Sequence, residues 1–340
     1  MIYSTWEPAT RRRLAAAIAG LAILSLAAFC LRFAEAGEPV ATLTITQGDL
    51  KASFRENGKP PRFLSGVTEL IHKDEPRFPA FNQGGGVGLN FEHIICGHKN
   101  PNNAFTPRNG KFAMFQLPDG KSVQLVRAKE DEPWAVSSTI KYAVTKPHYI
   151  EMDFRCVAHD KDLFGKRGYA ILFFASYMNS VEDVALHFRG VDGPKQEEKW
   201  TSGDAPKGHA DWYHGGTYRS LPAADLEYDA NHNNKASSWT YDYPRFTKPY
   251  YFGKTNKEMV FILMFNKMYS AEDEIRFSLF KFLVGPKIRN PAWDFQYVIH
   301  KVENNKEYGF KARLVWKKFV SPDDCLKEYE TWSASLGKDR

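Results

Sequence analysis

Cysteine is scarce in this sequence of 340 residues, which contains only four. Cys30 lies in an apolar run near the N-terminus, whereas Cys96, Cys156 and Cys325 are spread over the rest of the chain. No two of them form a C-x-x-C pair, and the odd number beyond residue 36 leaves at least one thiol free. We therefore expect buried thiols in the core. A bridge between Cys96 and Cys156 is the alternative that spacing leaves open.

The sequence also lacks a basic block, an internal repeat and a linker rich in proline, serine or glycine. Its net charge of +6 comes from Lys and Arg residues that are mixed with Asp and Glu along the chain. This distribution argues against a nucleic-acid partner. The even composition favours a single domain over residues 37–340 rather than separable modules.

Signatures of common catalytic sites are missing as well. There is no G-x-S-x-G, no Walker loop, no H-E-x-x-H and no dinucleotide fingerprint. Residues 229–234, D-A-N-H-N-N, begin like a calcium loop, but its sixth position is not Gly and its twelfth is not Glu. No cofactor is therefore predicted. Calcium in a site of another kind stays open as an alternative.

The first 36 residues have the features of a secretory signal peptide. Three arginines at 11–13 precede an apolar run at 14–31, and A-E-A at 34–36 offers the small residues that a signal peptidase requires. We expect cleavage after Ala36, a secreted or periplasmic protein, and no membrane partner after cleavage. The alternative is an uncleaved N-terminal anchor, because the apolar run is long enough to span a bilayer.

Beyond the leader, the pattern of residues predicts an all-β protein. Aromatic residues make up 14% of the chain, and they favour strands. Residues 149–156 alternate polar and apolar side chains, which is typical of a half-buried antiparallel strand. Pro-Asp-Gly at 118–120 indicates a hairpin. With turn signals spread along the whole chain, we predict a large antiparallel β-sandwich.

One helix is predicted, and it lies near the C-terminus. Ser321 can cap its first turn. Cys325, Leu326, Tyr329 and Trp332 follow at helical spacing. We expect this short helix to close the chain against the sheet.

The residues suited to chemistry fall into five clusters, none of which carries a catalytic signature. The first contains Asn90, Glu92, His93, His98 and Arg108; the second His148, Glu151, Asp153 and Arg155; the third Arg167, His187 and Arg189; the fourth runs from residue 209 to Arg245; and the fifth contains Trp293, Asp294 and Gln296. The fourth is distinctive, because H-A-D-W-Y-H-G-G-T-Y-R-S at 209–220 places large aromatics in a loop. Such residues have no routine core to fill there, and loops on rigid sheets often bind ligands.

A sugar is the ligand that these residue types suit. Trp and Tyr rings stack on the apolar faces of a pyranose, and Asp, Asn, Arg and His bond its hydroxyl groups. A histidine with a carboxylate can supply the general acid and base. Metal catalysis is not predicted, because the histidines never pair at i, i+2 or i, i+4.

Several runs resemble a group of exported bacterial proteins of the planctomycete type. They are "VSSTIKYAVTKPHYIEMDFRCVAH", "GYAILFFASYMN", "PAWDFQYVI" and "YGFKARLVWKKFV". The order of the strands and the Y-G-F-x-x-R ending are similar to the galactose-mutarotase-like supersandwich, over residues 45–335. The resemblance implies a carbohydrate epimerase, lyase or hydrolase that places a His and a Glu or Asp at the anomeric centre.

We therefore predict an exported carbohydrate-active protein that binds a sugar or a polysaccharide fragment on a concave sheet face. The candidate acid–base residues are His214, His187, Glu151 and Asp294. The candidate substrate-binding residues are Arg155, Arg189, Trp212, Tyr213, Tyr218, Arg219, Asp229, His232 and Trp239. A non-catalytic glycan-binding module and a structural interaction protein of the envelope are the alternatives.

Overall fold

The computed structural model describes residues 37–58, 64–82, 85–99, 102, 104–205, 214–232, 240–284 and 288–336. Strands dominate these ranges, as the sequence predicts. The elements are β1 (Thr42–Gln47), β2 (Leu50–Arg55), β3 (Gly66–His72), β4 (Asn90–Ile95), α1 (Thr106–Asn109), β5 (Ala113–Gln116), β6 (Ser122–Arg127), β7 (Val136–Thr145), β8 (Tyr149–Ala158), β9 (Ala170–Ala175), β10 (Leu186–Val191), β11 (Lys199–Gly203), β12 (His214–Tyr218), β13 (Arg245–Phe246), β14 (Tyr250–Thr255), β15 (Met259–Met268), β16 (Glu274–Val284), β17 (Ile288–Ile299), β18 (Glu307–Lys318) and α2 (Pro322–Leu336).

The largest sheet contains ten of these strands, and neighbouring strands are antiparallel. Its order is β11-β10-β14-β15-β18-β8-β7-β6-β5, and β13 pairs with β10. Strand β8 shows why the sheet forms, because its polar residues are half-buried and its apolar residues are buried in strict alternation. The Pro-Asp-Gly turn joins β5 to β6, so the predicted hairpin is confirmed.

A second antiparallel sheet of five strands faces the first. Its order is β12-β16-β17-β9-β4. Phe174 of β9 contacts Phe154 of β8 with ring centroids 5.0 Å apart and Phe310 of β18 at 5.4 Å. Because these rings come from opposite sheets, the main apolar core lies between the two sheets.

A third, three-stranded sheet and the C-terminal helix complete the architecture. Strands β1, β2 and β3 form the small sheet, and Phe54 of β2 stacks on Tyr142 of β7. Helix α2 begins after Ser321, whose Oγ accepts a hydrogen bond from the amide of Asp324 at 3.1 Å. Tyr329 of this helix stacks on Tyr250 of β14, so the helix covers the outer face of the ten-stranded sheet.

The prediction of an all-β antiparallel sandwich with a short C-terminal helix is confirmed. The three cysteines of the described chain, Cys96, Cys156 and Cys325, are free and buried, so the Cys96–Cys156 bridge is not formed. Burial raises the pKa of the Cys96 thiol to about 11. No helix within the described ranges is long and apolar enough to cross a bilayer. The expected leader lies outside those ranges.

Candidate active site

The face of the five-stranded sheet that points away from the core forms a cavity of about 430 Å³. Side chains alternate along each strand, so β9 places Phe174 in the core and Phe173 and Ala175 on the cavity side. The lining residues come from all five strands of this sheet, from α1 and the residue before it, and from the segment after β9. They are Glu92, His93, Phe105, Arg108, Phe173, Ala175, Tyr177, Gly215, Ser278, Leu279, Phe280, Phe282, Ala292 and Asp294.

Asp294 lies near the middle of the sheet floor, on β17. Its neighbour across the strand pair is Ser278, and its Oδ1 accepts a hydrogen bond from the amide of Ser176 at 3.0 Å. The side chain is buried, and this burial, together with the charge of Glu92, raises the pKa of Asp294 well above its usual value. The raised pKa favours the protonated form of Asp294 to a higher pH than in a free aspartate, and Oδ2, which does not accept the Ser176 bond, is the oxygen that can carry the proton.

Glu92 is the second buried carboxyl group of the cavity, and its surroundings favour the charged form. Its Oε1 receives hydrogen bonds from Arg108 at 2.8 Å and Tyr177 at 2.6 Å, and Asn90 donates to Oε2 at 3.0 Å. Burial opposes the charge of Glu92. The hydrogen bond and charge of His93, the charge of Arg108 and the Tyr177 hydroxyl nevertheless hold the pKa of this carboxyl below its usual value.

A β-bulge explains why Glu92 reaches the cavity. In the pairing of β4 with β9, the register shifts between Phe91 and His93. Phe91 stacks on Phe174 in the core, whereas Glu92 and His93 both line the cavity. A bulge adds one residue to its strand and redirects side chains in this way. The sheet thus presents two adjacent ionisable residues on a single face.

Aromatic rings form the wall beside these carboxyl groups. The His93 ring lies between Phe105, at 4.1 Å between ring centroids, and Phe173, at 5.1 Å. Phe105 is 40% exposed at the mouth of the cavity, which is unusual for a large apolar side chain. The Arg108 guanidinium lies 6.0 Å from the Phe105 ring centroid. The mouth therefore combines an apolar surface with a cation.

The short helix α1 holds Phe105 and Arg108 in place. A buried ion pair anchors it, because Arg127 and Glu132 approach to 2.8 Å with side chains only 1% exposed. Nη1 of Arg127 also donates to the carbonyl of Thr106 at 3.0 Å, and the Thr106 hydroxyl bonds Glu132. This network joins the mouth of the cavity to β6.

The structure brings together the first and fifth clusters of the sequence analysis. Glu92, His93 and Arg108 come from the first cluster, and Asp294 comes from the fifth. Asp294 is the member of the predicted acid–base set that lines the cavity. It faces a pocket of the size that small ligands occupy, with a few polar groups in an apolar wall.

His187 and Arg189 lie on the outer face of β10. Phe188 between them points into the core, where it contacts Phe277. Nε2 of His187 lies 3.1 Å from Asp183, and Arg189 pairs with Glu198 at 3.0 Å. Both residues are therefore separated from the cavity by the sandwich core.

Glu151 and Arg155 lie on the outer face of β8. Glu151 accepts a hydrogen bond from Arg313 at 2.7 Å. Arg155 pairs with Asp153 at 2.9 Å and lies 3.4 Å from the ring centroid of Tyr269. These contacts form a cross-strand network on the face opposite Phe154, so the network does not line the cavity.

The fourth cluster divides. Tyr218 is fully buried in the core, and Arg219 is buried where it pairs with Asp225 and, at 2.8 Å, with Asp242. Alternation along β12 places His214 on the face opposite the cavity-lining Gly215. Trp212, Tyr213 and Trp239 lie outside the described residues.

The remaining two predicted binding residues lie at the end of β4. The Asp229 carboxylate is 3.3 Å from Nε of Arg167, and Nε2 of His232 is 2.9 Å from the carbonyl oxygen of Cys96. His232 also contacts the Tyr228 ring at 5.0 Å. Neither residue lines the cavity.

Phe105, Phe173 and Tyr177 are cavity residues that the sequence analysis did not select. Phe173 lies in a fully apolar strand, and no local pattern tells which of two consecutive phenylalanines faces outward. Phe105 follows a polar loop. Its sequence context could have marked it as a candidate binding residue, because a large aromatic next to T-P-R has no strand to join. Tyr177 has no such signal, since its role depends on Glu92 in a distant strand.

No protein-family profile and no curated protein matches the sequence. Among solved structures, a putative aldose 1-epimerase from Escherichia coli K12 is 8% identical with a TM-score of 0.46, and the match covers 82% of this chain and 99% of that chain. An aldose epimerase homologue from C. elegans is 11% identical with a TM-score of 0.41, over 82% and 99% of the two chains. A heparan sulfate lyase from Pedobacter heparinus is 7% identical with a TM-score of 0.41, over 80% of this chain and 34% of the lyase.

The similar structures are thus galactose-mutarotase-like epimerases and a polysaccharide lyase. The chain spans about a third of the length of the lyase. At these identities and scores, the similarity assigns neither an activity nor a site residue to this chain.

Proposed function

We propose that the chain binds a sugar residue in the cavity and catalyses acid–base chemistry at its anomeric carbon. Asp294 would be the proton donor, and Glu92 the charged carboxylate. One observation carries the proposal, namely that two buried carboxyl groups line one cavity while their pKa values shift in opposite directions. Such a divergence separates an acid from a charge-stabilising group at one pH.

The shape and chemistry of the cavity support a sugar as the ligand. Its volume of about 430 Å³ lies within the range of small-ligand pockets. Phe105 and Phe173 offer apolar surface for the C–H face of a pyranose. Ser278, Arg108 and Tyr177 line the cavity with hydroxyl and guanidinium groups, which can form hydrogen bonds to sugar hydroxyls.

The proposed reaction breaks the bond between the anomeric carbon and an oxygen. Asp294 gives its proton to the departing oxygen, which keeps the electron pair of the broken bond. The anomeric carbon becomes positively charged, and the Glu92 carboxylate stabilises this charge. An incoming water or hydroxyl group then attacks the carbon and returns a proton to Asp294. The cycle leaves both carboxyl groups in their starting forms.

Glycan binding without turnover is the second candidate, and the hydrogen bonding of Glu92 favours it. Arg108, Tyr177 and Asn90 all donate to this carboxylate. A carboxylate so fully bonded is a weak base, and it can serve to hold α1 against β4. The same cavity would then bind a sugar without changing it.

A ligand screen followed by variants tests the proposal. The melting temperature of the purified full-length chain is measured with neutral and acidic mono- and oligosaccharides, because a ligand of the native state raises it. Each compound that binds is then assayed for anomerisation and hydrolysis with the wild type and with Asp294→Asn. We expect the variant to bind but to lose turnover by at least about 100-fold.

Asp153→Asn is the matched control, since Asp153 is a strand aspartate on the outer face of β8. It should bind and react like the wild type. Turnover that survives in Asp294→Asn contradicts the catalytic proposal, and binding without any turnover in the wild type supports the second candidate. A screen without a ligand contradicts both.

We also propose that the protein is exported. The support is the sequence of the leader, with its arginines, apolar run and A-E-A site. The planctomycete-type relationship rests on the runs quoted above. N-terminal sequencing of protein recovered from a bacterial periplasm tests export, with Gly37 as the expected first residue.

A further inference from the structure

Three residues from distant parts of the chain meet at one end of the small sheet. Asp49 lies in the turn between β1 and β2, His72 ends β3, and His148 lies between β7 and β8. One ligand atom from each residue lies within 4.8 Å of the other two. None of the three lines the cavity. The cluster is therefore separate from the candidate active site.

The spacing of these atoms suits a tetrahedral metal ion. Oδ2 of Asp49 lies 3.3 Å from Nδ1 of His148 and 3.8 Å from Nε2 of His72. A zinc ion bonded at about 2.0–2.1 Å in tetrahedral geometry holds its ligand atoms about 3.3 Å apart. One of the three pairs of atoms already has this spacing, and the second needs a shift of a few tenths of an ångström. The third pair, between the two imidazoles, lies within 4.8 Å.

Each of the three ligand groups also has an outer partner. Nε2 of His148 lies 3.6 Å from a Glu328 oxygen, and Nδ1 of His72 lies 3.6 Å from an Asp74 oxygen. Oδ1 of Asp49 pairs with Lys73 at 3.0 Å, which leaves Oδ2 for the shared centre. Metal-binding histidines usually face a carboxylate with their second nitrogen in this way.

The proton of His72 must change position for this nitrogen to bind a metal. Nδ1 of His72 accepts a hydrogen bond from the Asp74 amide at 3.2 Å, so the ring proton is on Nε2 and points to Asp49. Binding through Nε2 requires the other neutral tautomer, whose Nδ1–H donates to the Asp74 carboxylate. Asp74 provides both an amide and a carboxylate to this nitrogen, so either tautomer has a partner.

We propose that Asp49, His72 and His148 form a binding site for a divalent transition-metal ion, with Zn²⁺ as the ion that two imidazoles and one carboxylate suit best. Three protein ligands leave a fourth position for water. Calcium does not fit, because it needs six or more oxygen ligands. The ion would join the small sheet to the β7–β8 turn. Glu328 would extend this connection to helix α2.

A zinc titration of the chelator-treated full-length chain tests the site. Competition with a chromophoric chelator measures stoichiometry and affinity, and we expect one equivalent of Zn²⁺. Zinc should also raise the melting temperature, whereas calcium should not. His72→Gln and His148→Gln should weaken binding by more than the about 10- to 100-fold that loss of an outer partner costs.

Two further variants make the result decisive. His159→Gln removes an imidazole that bonds Ser137 and Asn305 at another part of the chain, and it should bind zinc like the wild type. Glu328→Gln keeps all three ligands and should weaken binding by about 10- to 100-fold, even if a ligand variant fails to fold. Absence of stoichiometric binding at micromolar protein overturns the proposal. Binding that is equal in His148→Gln, Glu328→Gln and the wild type overturns it too.

Discussion

Phe174 on β9 and Phe295 on β17 stack with ring centroids 4.8 Å apart and ring planes only 2° apart. The residues before them along the chain, Phe173 and Asp294, face the cavity on the other side of the sheet. One pair of strands therefore carries both the centre of the core and the floor of the candidate active site. Substitutions at consecutive residues of these strands therefore act on opposite faces of the sheet, one in the core and one in the cavity.

Truncation of Phe174 should be among the most damaging core changes. Its ring also contacts Phe91 and Phe154 at 5.0 Å, so Phe174→Ala would leave a cavity between the sheets. We expect the free energy of unfolding to fall by about 3–5 kcal/mol. Urea denaturation followed by tryptophan fluorescence measures this change. Phe105→Ala is the control, because that ring is 40% exposed and its loss should lower stability little.

The raised pKa of Asp294 predicts a pH-dependent stability difference between the wild type and Asp294→Asn. The pKa is higher in the folded chain, so the stabilisation that protonation gives is complete below the unfolded pKa of about 3.9 and is lost as the pH rises through the folded pKa. The variant lacks this titration. Its free energy of unfolding, relative to wild type, should therefore increase with pH from about 4 upward. A difference that stays constant in urea denaturation across this range contradicts a raised pKa.

Removal of the Arg108 side chain should destabilise the protein through Glu92. Arg108→Met leaves the buried Glu92 carboxylate without the cation that lies 2.8 Å away, and we expect a loss of about 1–3 kcal/mol at neutral pH. The pKa of Glu92 is lowered in the folded chain, so its contribution is present above about 4.3 and is lost as the pH falls through the folded pKa. The penalty should therefore shrink in acid. In the Glu92→Gln background, Arg108→Met should cost less than in wild type.

Removing one member of the buried ion pair beneath α1 should destabilise the fold strongly, whereas replacing both members with apolar residues should destabilise it much less. Arg127→Met leaves Glu132 buried without its cation, and this should cost about 3–5 kcal/mol in the free energy of unfolding. Replacing both residues, with Arg127→Met and Glu132→Leu, should recover most of the loss. If thermal or urea unfolding finds the double variant no more stable than the single one, the penalty does not come from the unpaired charge.

Much of the fold follows from local sequence patterns. The alternation along β8, the Pro-Asp-Gly hairpin and the Ser321 cap each depend on residues that are close in sequence, and all three occur as predicted. The pairing order of the strands, in contrast, does not follow from local sequence patterns. Strand β18 lies between β15 and β8, and no local pattern specifies such distant partners.

The candidate site was harder to predict, for the same physical reason. Glu92 and Asp294 are both chemically suitable by residue type, but the sequence gives no sign that β4 and β17 pair with the same strand, β9. The aromatic segment at 209–220 predicts a binding surface from sequence, because large side chains in a loop are typical of one. Tyr218 instead enters the core, since β12 pairs with β16 and continues the sheet. Asp49, His72 and His148 are too far apart in the sequence to form a recognisable metal-binding motif.

The absence of a side chain at Gly110 has a consequence for how mutational data on this protein should be interpreted. A methyl group there would overlap the guanidinium of Arg127, which is fixed by Glu132 and the Thr106 carbonyl and cannot easily move. In a saturation screen scored by growth or binding, position 110 would appear as intolerant as a ligand-contacting residue. A substitution at Gly110 would nevertheless act indirectly, by displacing the Arg127 side chain that anchors α1. Mutational data alone would therefore assign position 110 to the ligand site by mistake.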